Sequence, residues 1–315
     1  MFQVRRRLRV RRGLSSAARG FDCAPWRRQY SALAICSCLA ALGCLALSVP
    51  VALSRSAAPA HHFSAKLDAA YRATLLGIPI GDVTWTIDFH DSRYSAAAHG
   101  STAGLMLIFS RGHGTAEAQG SVAGKEPLAS NFLINITHGA ASQEVKILFK
   151  HGKASESVAP PPKPNPQLVP LNEAYRTGVV DPMSALLVNV PGSGETAGPA
   201  ACARTIAVFD GRMRFDLKLA FKRIEQVQVP DGYQGPAAVC AVYFTPLAGY
   251  DPNRYAIKYL QAERGMEIWL APLSGTRLMV PYRLSVPTPI GDGILQATRF
   301  VWSPETGQAG APSVN

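Results

Sequence analysis

The sequence predicts a mainly β protein built on a large antiparallel sheet, and three observations lead to this prediction. From about residue 66 to residue 302, runs rich in β-branched and aromatic residues recur, some with alternating polar and apolar side chains. Short segments containing Gly, Pro or Asp separate the runs, which is typical of hairpins rather than of βαβ units. About a dozen strands in the roughly 255 residues after residue 60 fit one β-rich domain over 61–315, because sandwiches and barrels reach that length undivided.

Residues 1–60 have the organisation of an export signal. A head containing nine arginines precedes an apolar run over residues 31–53, and Ala58-Pro59-Ala60 then matches the A-x-A pattern that signal peptidases cleave. We expect cleavage near Ala60. The alternative is an uncleaved anchor in the inner membrane, because the length of the run is nearer the ~20 residues of a spanning helix than the ~7–15 of a cleavable apolar region. In both cases the arginines stay in the cytoplasm and the rest of the chain reaches the periplasm.

Two further alternatives concern the export route. Arg27-Arg28 stands just before the apolar run, as in a twin-arginine signal, although paired arginines also occur as ordinary positive charge in such a head. Leu42-Gly43-Cys44 matches the end of a lipoprotein cleavage box, but Ala41 replaces the usual larger aliphatic residue and the apolar run continues beyond Cys44. Both remain alternatives to a plain signal peptide or anchor.

The formal net charge of +11 belongs mostly to this first segment. Ten arginines and one aspartate in residues 1–60 give +9, and the other 22 basic and 20 acidic residues give +2. The exported part therefore has no basic stripe that would neutralise a phosphate backbone. We expect no binding of nucleic acid.

The strand prediction begins with the segment from Asp82 to Phe89, which alternates polar and apolar residues and is rich in β-formers. Before it, the Gly- and Pro-containing segment 76–81 predicts a hairpin from a strand around Tyr71. Further strands are predicted at 92–101, 114–122, 129–137, 144–150, 204–209, 214–221, 224–229, 238–245, 266–271, 278–286 and 293–302.

Two segments interrupt the strand pattern. Residues 159–166 contain five prolines, which predicts a stiff, extended surface connection; a linker between two smaller β lobes is the alternative. Asp181-Pro182 predicts an N-cap with Pro at the first helical position, followed by the apolar residues 183–188. A helix that is short and apolar all round is expected to be buried, against the concave face of a curved sheet.

The sequence also contains a predicted turn and a four-residue motif that occurs twice. Asp210-Gly211 predicts the turn between two of the later strands. The motif Pro79-Ile80-Gly81-Asp82 recurs as Pro289-Ile290-Gly291-Asp292. We interpret both copies as turns near the two ends of one sheet, because four residues are too few to establish a repeat.

Cys202 and Cys240 are the only cysteines after residue 60. An even pair in an oxidising compartment favours a disulfide, which would close a loop of 37 intervening residues. In the chain-entropy model such a loop stabilises by about 4 kcal/mol. Two separate buried thiols, or a metal site, are the alternatives.

Five motifs follow one another in the exported part. They are GIPIG (77–81), DPMSALL (181–187), Cys202 before VFDGRMR (208–214), Cys240 before PLAGY (246–250), and EIWL (267–270) with VPYR (280–283). This series, over residues 66–302, resembles the bacterial family called domain of unknown function 3108, found mainly in exported proteobacterial proteins. The resemblance implies an open half-barrel, a curved antiparallel sheet wrapped around a helix, similar to periplasmic lipoprotein carriers. The family has no established activity, so no catalytic residue is implied.

The polar cluster most suited to a ligand is Asp210-Gly211-Arg212-Met213-Arg214. Alternation along a strand would put Arg212 and Arg214 on one face, where two guanidinium groups could hold a carboxylate or phosphate headgroup. The alternative is an Asp-Gly hairpin turn whose arginines face water.

Aromatic residues are the other binding candidates. Trp85 and Trp269 lie in predicted strands, and Tyr250 ends the PLAGY motif. Most such side chains belong to an ordinary core, but a half-closed barrel also encloses apolar clefts that bind small molecules. The seven histidines are scattered, and neither H-E-x-x-H nor G-x-S-x-G occurs, so we expect no metal, cofactor or catalytic residue.

Three functional hypotheses remain. We favour a non-enzymatic envelope protein that binds or carries a hydrophobic or amphipathic ligand. The main alternative is a structural or assembly factor of the envelope that acts through protein contacts, and an enzyme is the least favoured. The expected partners are a lipid or other apolar ligand and an envelope protein, with membrane contact through residues 31–53 if that segment is not cleaved.

Overall fold

The computed structural model describes residues 63–103, 112–122, 126–160 and 165–305. The predicted export segment 1–60, with its apolar run, lies outside the described residues, and so do residues 161–164 of the proline-rich stretch. Within the described ranges, no helix is both long enough and apolar enough to cross a membrane.

Fifteen strands of the described residues join in one sheet, and the antiparallel β prediction is confirmed. The first seven strands pair in chain order: β1 (Ser64–Leu75), β2 (Ile78–His90), β3 (Arg93–Thr102), β4 (Gly112–Ser121), β5 (Leu128–His138), β6 (Ala141–Lys150) and β7 (Lys153–Val158). The later strands are β8 (Val188–Asn189), β9 (Arg204–Phe209), β10 (Arg214–Gln228), β11 (Asp231–Gly232), β12 (Gln234–Ala248), β13 (Glu267–Pro272), β14 (Leu278–Thr288) and β15 (Gly291–Glu305). Two α-helical segments are α1 (Pro199–Cys202) and α2 (Tyr255–Ala262).

The sheet runs from β7 through β1 to β15, and then through β14, β13, β12 and β10 to β9. Residues 177–180, the closing segment, connect its two edge strands. The amides of Gly178 and Val179 donate to the carbonyl of Gly152, beside β7, at 2.8 and 3.2 Å. Val180 donates to the carbonyl of Ala207 and accepts from the amide of Phe209, both at 2.9 Å in β9. The sheet is therefore a nearly closed barrel.

Strand alternation places the core. In β1, Leu67 and Tyr71 are buried, while Ile87 and Phe89 of the neighbouring β2 are completely enclosed. Successive side chains of a strand point to opposite faces, so every second residue reaches the core. The alternation predicted from Asp82 to Phe89 is thus confirmed by the burial of Trp85, Ile87 and Phe89.

Strand β12 is buried on both faces. Val239 belongs to the core that contains the β1 and β2 side chains, whereas Cys240 belongs to a second cluster with α1. The predicted disulfide is confirmed: Cys202 of α1 is bonded to Cys240, with 5.6 Å between their Cα atoms. The bond holds α1 against this second face of the sheet.

The predicted buried helix over 183–188 is not formed. Asp181 does cap the segment, because its Oδ1 accepts hydrogen bonds from the amides of Met183 and Ser184, both at 2.9 Å. Only a single 3₁₀ turn, Ser184–Leu186, follows. The helix cannot continue because Val188 and Asn189 pair as β8 with β14.

Three other features differ from the sequence prediction. The predicted strands 214–221 and 224–229 are one strand, β10, which carries a bulge between Phe221 and Arg223. Strand β7 and helix α2 were not predicted. Of the two copies of the Pro-Ile-Gly-Asp motif, only residues 289–292 contain a turn, since residues 79–82 lie inside β2. The motifs are nevertheless neighbours, because β1 pairs with both β2 and β15.

Candidate functional site

An apolar cavity of about 310 Å³ lies between side chains of opposite parts of the barrel. Its lining comes from β1, β2 and β3 on one side, from β9, β10 and β12 to β15 on the other, and from residues 183–188. None of the lining residues is charged. We call this space the apolar cavity.

The wall of the apolar cavity that comes from β1 and β2 is aromatic. Tyr71 and Trp85 both line it, with 6.5 Å between their ring centroids. The hydroxyl of Tyr71 donates to the carbonyl of Pro281 in β14 at 2.7 Å, and burial raises the pKa of this phenol. The indole Nε1 of Trp85 is buried and has no hydrogen-bond partner among the described residues.

The opposite wall is aliphatic. Leu217 and Leu219 of β10, Val242 of β12, and Ile268 and Leu270 of β13 contribute side chains from one face of this part of the sheet. Each pair is separated by one residue because alternate strand residues share a face. The cavity thus combines an aliphatic wall with an aromatic one that includes Trp85.

A buried hydrogen-bond network positions residues 183–186, three of which line the apolar cavity. The hydroxyl of Ser184 donates to Oδ2 of Asp181, so the hydroxyl of Tyr94 in β3 is the donor in the 2.5 Å bond to Ser184. Burial raises the pKa of both Asp181 and Tyr94, and the charge of Asp181 adds to the effect on Tyr94. The network fixes the turn against the barrel wall, next to the cavity-lining Met183.

The sequence interpretation missed this network. It identified Asp181 as a cap, but Tyr94 lies 90 residues before Ser184 and carries no local signal of the contact. Two buried polar residues three positions apart, Asp181 and Ser184, were the one available sign, since such groups must find partners inside the protein.

A second concavity, of about 690 Å³, lies where three chain segments meet. Residues 168–171, 210–213 and 249–254 provide most of its lining, together with Arg176. We call it the arginine cleft, because Arg176, Arg212 and Arg254 all line it. Tyr250 lies there as well.

Close backbone contacts hold the arginine cleft together. Gly249 donates to the carbonyl of Val169 at 2.8 Å, and the amide of Val169 donates to Tyr250 at 2.9 Å. Gly249 has φ +77°, and a Cβ there would lie 1.9 Å from the carbonyl oxygen of Arg212. Asp210 completes the predicted Asp-Gly turn, since its Oδ1 accepts from the amides of Arg212 and Met213 at 2.9 and 2.7 Å.

The five candidate ligand-binding residues do not form one site. Trp85 lines the apolar cavity, whereas Arg212 and Tyr250 line the arginine cleft. Arg214 is buried and paired with Asp216 at 2.7 Å, and it lines neither space. The two arginines do not share a strand face, because Arg212 belongs to the turn that precedes β10.

Trp269 stands apart from both spaces. Its ring contacts the guanidinium groups of Arg223 and Arg283, whose carbons are 5.5 and 4.9 Å from the ring centroid. Its Nε1 donates to Glu225 at 2.9 Å. Trp269 shares β13 with the cavity-lining Ile268 and Leu270. Its surroundings differ because adjacent residues of a strand point to opposite faces of the sheet.

Comparison with solved structures finds a beta-barrel-like protein of domain of unknown function DUF1849 from Brucella abortus. The two chains share 8% sequence identity at a TM-score of 0.44, over 77% of this chain and 98% of that chain. Among curated proteins, none matches this sequence significantly.

The family comparison covers most of the barrel. A family model described as "Protein of unknown function (DUF3108)" matches residues 70–298, which extend from β1 into β15 and include both the apolar cavity and the arginine cleft. The motifs that carried the resemblance in sequence all lie inside this range. The chain therefore belongs to the DUF3108 family.

Proposed function

We propose that this protein binds a small hydrophobic or amphipathic molecule in the apolar cavity. The observation that carries the proposal is an uncharged cavity lined by Trp85, whose buried indole N–H has no hydrogen-bond partner among the described residues. A buried polar group without a partner is costly, and a ligand that supplies an acceptor would remove that cost. The ligand class is therefore an apolar molecule with a neutral oxygen acceptor, such as an ester or a ketone.

Charge and size narrow the ligand class further. A carboxylate would lose its hydration inside a lining that has no cation, so a neutral acceptor suits the apolar cavity better. The volume of about 310 Å³ is roughly twice the ~150 Å³ that suffices for benzene in an engineered apolar cavity. One acyl chain of medium length fits this space better than a lipid with two chains.

The cellular setting forms part of the proposal. We place the domain in the periplasm, where it acts as an envelope binding or carrier protein, cleaved near Ala60 or held by residues 31–53. The arginine-rich head, the apolar run and the A-x-A pattern support export. The Cys202–Cys240 disulfide supports an oxidising compartment.

Native mass spectrometry tests ligand binding directly. The chain is expressed at full length and recovered from the periplasm without detergent, and we expect an excess mass that organic extraction removes. A leucine in place of Ala98, which lines the apolar cavity, should abolish the excess mass by filling the space. A leucine in place of Ala97, which is exposed on the same strand, should leave it unchanged.

A second test addresses the role of Trp85. Methyl decanoate and decane, added to the extracted protein, should bind with different affinities in the wild type because only the ester has an acceptor. Trp85→Phe should remove most of this preference, whereas Trp302→Phe should retain it, since the indole of Trp302 donates to the carbonyl of Ser274 outside the cavity. Absence of an excess mass, together with no binding of either probe, would refute the proposal.

An assembly role is the second candidate function, and an exposed aliphatic patch favours it. Leu76 and Ile290 are 64% and 65% exposed, and Ile78 is 45% exposed. They lie in two hairpins that adjoin, because the amide of Leu76 donates to the carbonyl of Asp292 at 3.2 Å. Exposed aliphatic residues that cluster in this way often mark a protein contact.

Photo-crosslinking separates this second candidate from ligand binding. A crosslinking amino acid at Ile290 should give one discrete protein adduct in cells if the patch binds an envelope protein. The matched control is Ile136, which is also exposed but lies in β5. Equal or absent adducts at both positions would rule out the patch as a docking surface.

A further inference from the structure

We propose that the arginine cleft binds an anionic amphiphile, a phosphate or carboxylate group joined to an apolar body. This inference is independent of the ligand proposed for the apolar cavity, because the two spaces share no lining residue. It rests on three features of the cleft: guanidinium groups without partners among the described residues, carboxylates that do not pair with them, and an apolar surface.

Two of the three arginines have no partner for their guanidinium groups among the residues that the structure describes. The Nε of Arg212 is buried without a hydrogen-bond partner among the described residues. The exposed side chain of Arg254 makes no hydrogen bond or ion pair within the described part of the chain. A half-buried guanidinium is costly unless an acceptor pairs with it, so an oxyanion is the natural complement of Arg212.

The third arginine is held in place. Arg176 donates to the hydroxyl of Ser157 at 3.1 Å and lies over the ring of Phe209, 5.4 Å from its centroid. Glu173 approaches it only to 4.0 Å and is itself paired with Lys153 at 2.9 Å. Arg176 therefore adds an oriented positive charge to the cleft.

The carboxylates that line the cleft do not pair with these arginines. Asp210 uses its Oδ1 for the backbone amides of its own turn. Asp251 accepts from the side-chain amide of Asn165 and from the backbone amide of Asn253, both at 2.8 Å. The lining contains three arginines and two aspartates, so the cleft has an excess of positive charge.

The apolar part of the lining decides between a free anion and an amphiphile. Leu168, Leu171, Met213 and Ile257 share the cleft with the arginines. A planar guanidinium group suits the two oxygens of a carboxylate or phosphate, while these side chains would cover a short hydrocarbon body. Inorganic phosphate would use the first feature and leave the second exposed to water.

Isothermal titration calorimetry of the full-length chain tests the inference with three probes. Hexyl phosphate should bind, inorganic phosphate should bind at least about tenfold more weakly, and hexyltrimethylammonium should not bind. Binding of hexyl phosphate should weaken as the salt concentration rises, because exposed charges are screened. Equal affinity for hexyl and inorganic phosphate would overturn the amphiphile assignment in favour of a simple anion.

Matched variants locate the binding. Arg254→Gln and Arg212→Gln should each weaken hexyl phosphate binding by about tenfold, which is typical for the loss of one charged hydrogen bond. Arg254 is exposed, so its variant folds even if the Arg212 variant does not. Arg72→Gln, with the same charge change at an ion pair outside the cleft, should bind like the wild type. An undiminished affinity in the Arg254 and Arg212 variants would overturn the inference.

Filling the apolar cavity with Ala98→Leu should leave hexyl phosphate binding intact, so failure of either proposal can be recognised separately.

Discussion

Tyr71 and Pro281 are joined across the wall of the apolar cavity, although 210 residues separate them in the chain. The hydroxyl of Tyr71 donates to the buried carbonyl of Pro281, and this bond ties β1 to β14, two strands that are not neighbours in the sheet. Strand β15 lies between them in the order of the sheet. The barrel wall is therefore fixed at this point by a side chain as well as by backbone pairing.

We expect Tyr71→Phe to lower the free energy of unfolding by about 1–3 kcal/mol, because it leaves the buried carbonyl of Pro281 without its donor. Urea denaturation followed by circular dichroism measures the change. The same substitution at Tyr255, which is 69% exposed, should change stability by less than about 0.5 kcal/mol. Equal effects at both positions would show that the bond does not stabilise the barrel.

Asp181 should make stability depend on pH. Burial raises its pKa above the ordinary value, so the folded protein holds this proton more tightly than the unfolded chain does. The contribution of Asp181 to the free energy of unfolding is therefore greatest below the unfolded pKa of about 4 and decreases as the pH rises through the folded pKa.

Asp181→Asn should remove this pH-dependent component, because the amide does not titrate. Urea denaturation between pH 4 and 8 compares the two proteins, with Glu156→Gln as an equal charge change at an exposed position. The difference between wild type and Asp181→Asn should change with pH, whereas the difference for Glu156→Gln should stay nearly constant. Parallel curves for all three proteins would contradict the prediction.

Removal of the disulfide should destabilise the protein by up to about 4 kcal/mol, the chain-entropy value for a loop of this length. Denaturation midpoints with and without a reductant measure the effect. The double variant Cys202→Ala/Cys240→Ala should match the reduced wild type and should not respond to the reductant. A midpoint of the wild type that is insensitive to full reduction would argue against a stabilising role.

Gly249→Ala should destabilise the protein by about 1–3 kcal/mol and weaken hexyl phosphate binding. The new Cβ would lie 1.9 Å from the carbonyl oxygen of Arg212, so the two cleft segments would have to separate. Thermal denaturation measures the first effect and calorimetry the second. Gly194→Ala provides the control, because a Cβ at that position would meet no atom within 4 Å and its φ lies outside the left-handed region. Equal stabilities of the two variants would contradict the close contact.

The features that could be predicted from the sequence are those with a local signal. Alternation between Asp82 and Phe89 fixes which side chains of β2 are buried, and Asp210-Gly211 fixes a turn. The pairing of Cys202 with Cys240 followed from the predicted oxidising compartment and from number, since no other cysteines remain after residue 60. In each case a few neighbouring residues, or simple counting, contain the whole argument.

The features that could not be predicted depend on distant contacts. Residues 183–188 have the composition of a helix, but the helical conformation ends after one turn because β8 pairs with β14. The charged residues 222–223 resemble a break between strands, whereas they form a bulge inside β10. Trp85 and Trp269 look alike in sequence, and only the packed barrel distinguishes the indole that lines the apolar cavity from the one that contacts two arginines.

The closing segment has a consequence for solubility. The edges of an open sheet carry unpaired N–H and C=O groups on which another chain can add a strand, and this addition starts many aggregates. Near β7, the carbonyl of Gly152 already accepts hydrogen bonds from the amides of Gly178 and Val179. In β9, the carbonyl of Ala207 accepts from the amide of Val180, and the amide of Phe209 donates to the carbonyl of Val180. These four residues thus cover part of each edge of the sheet without a further strand.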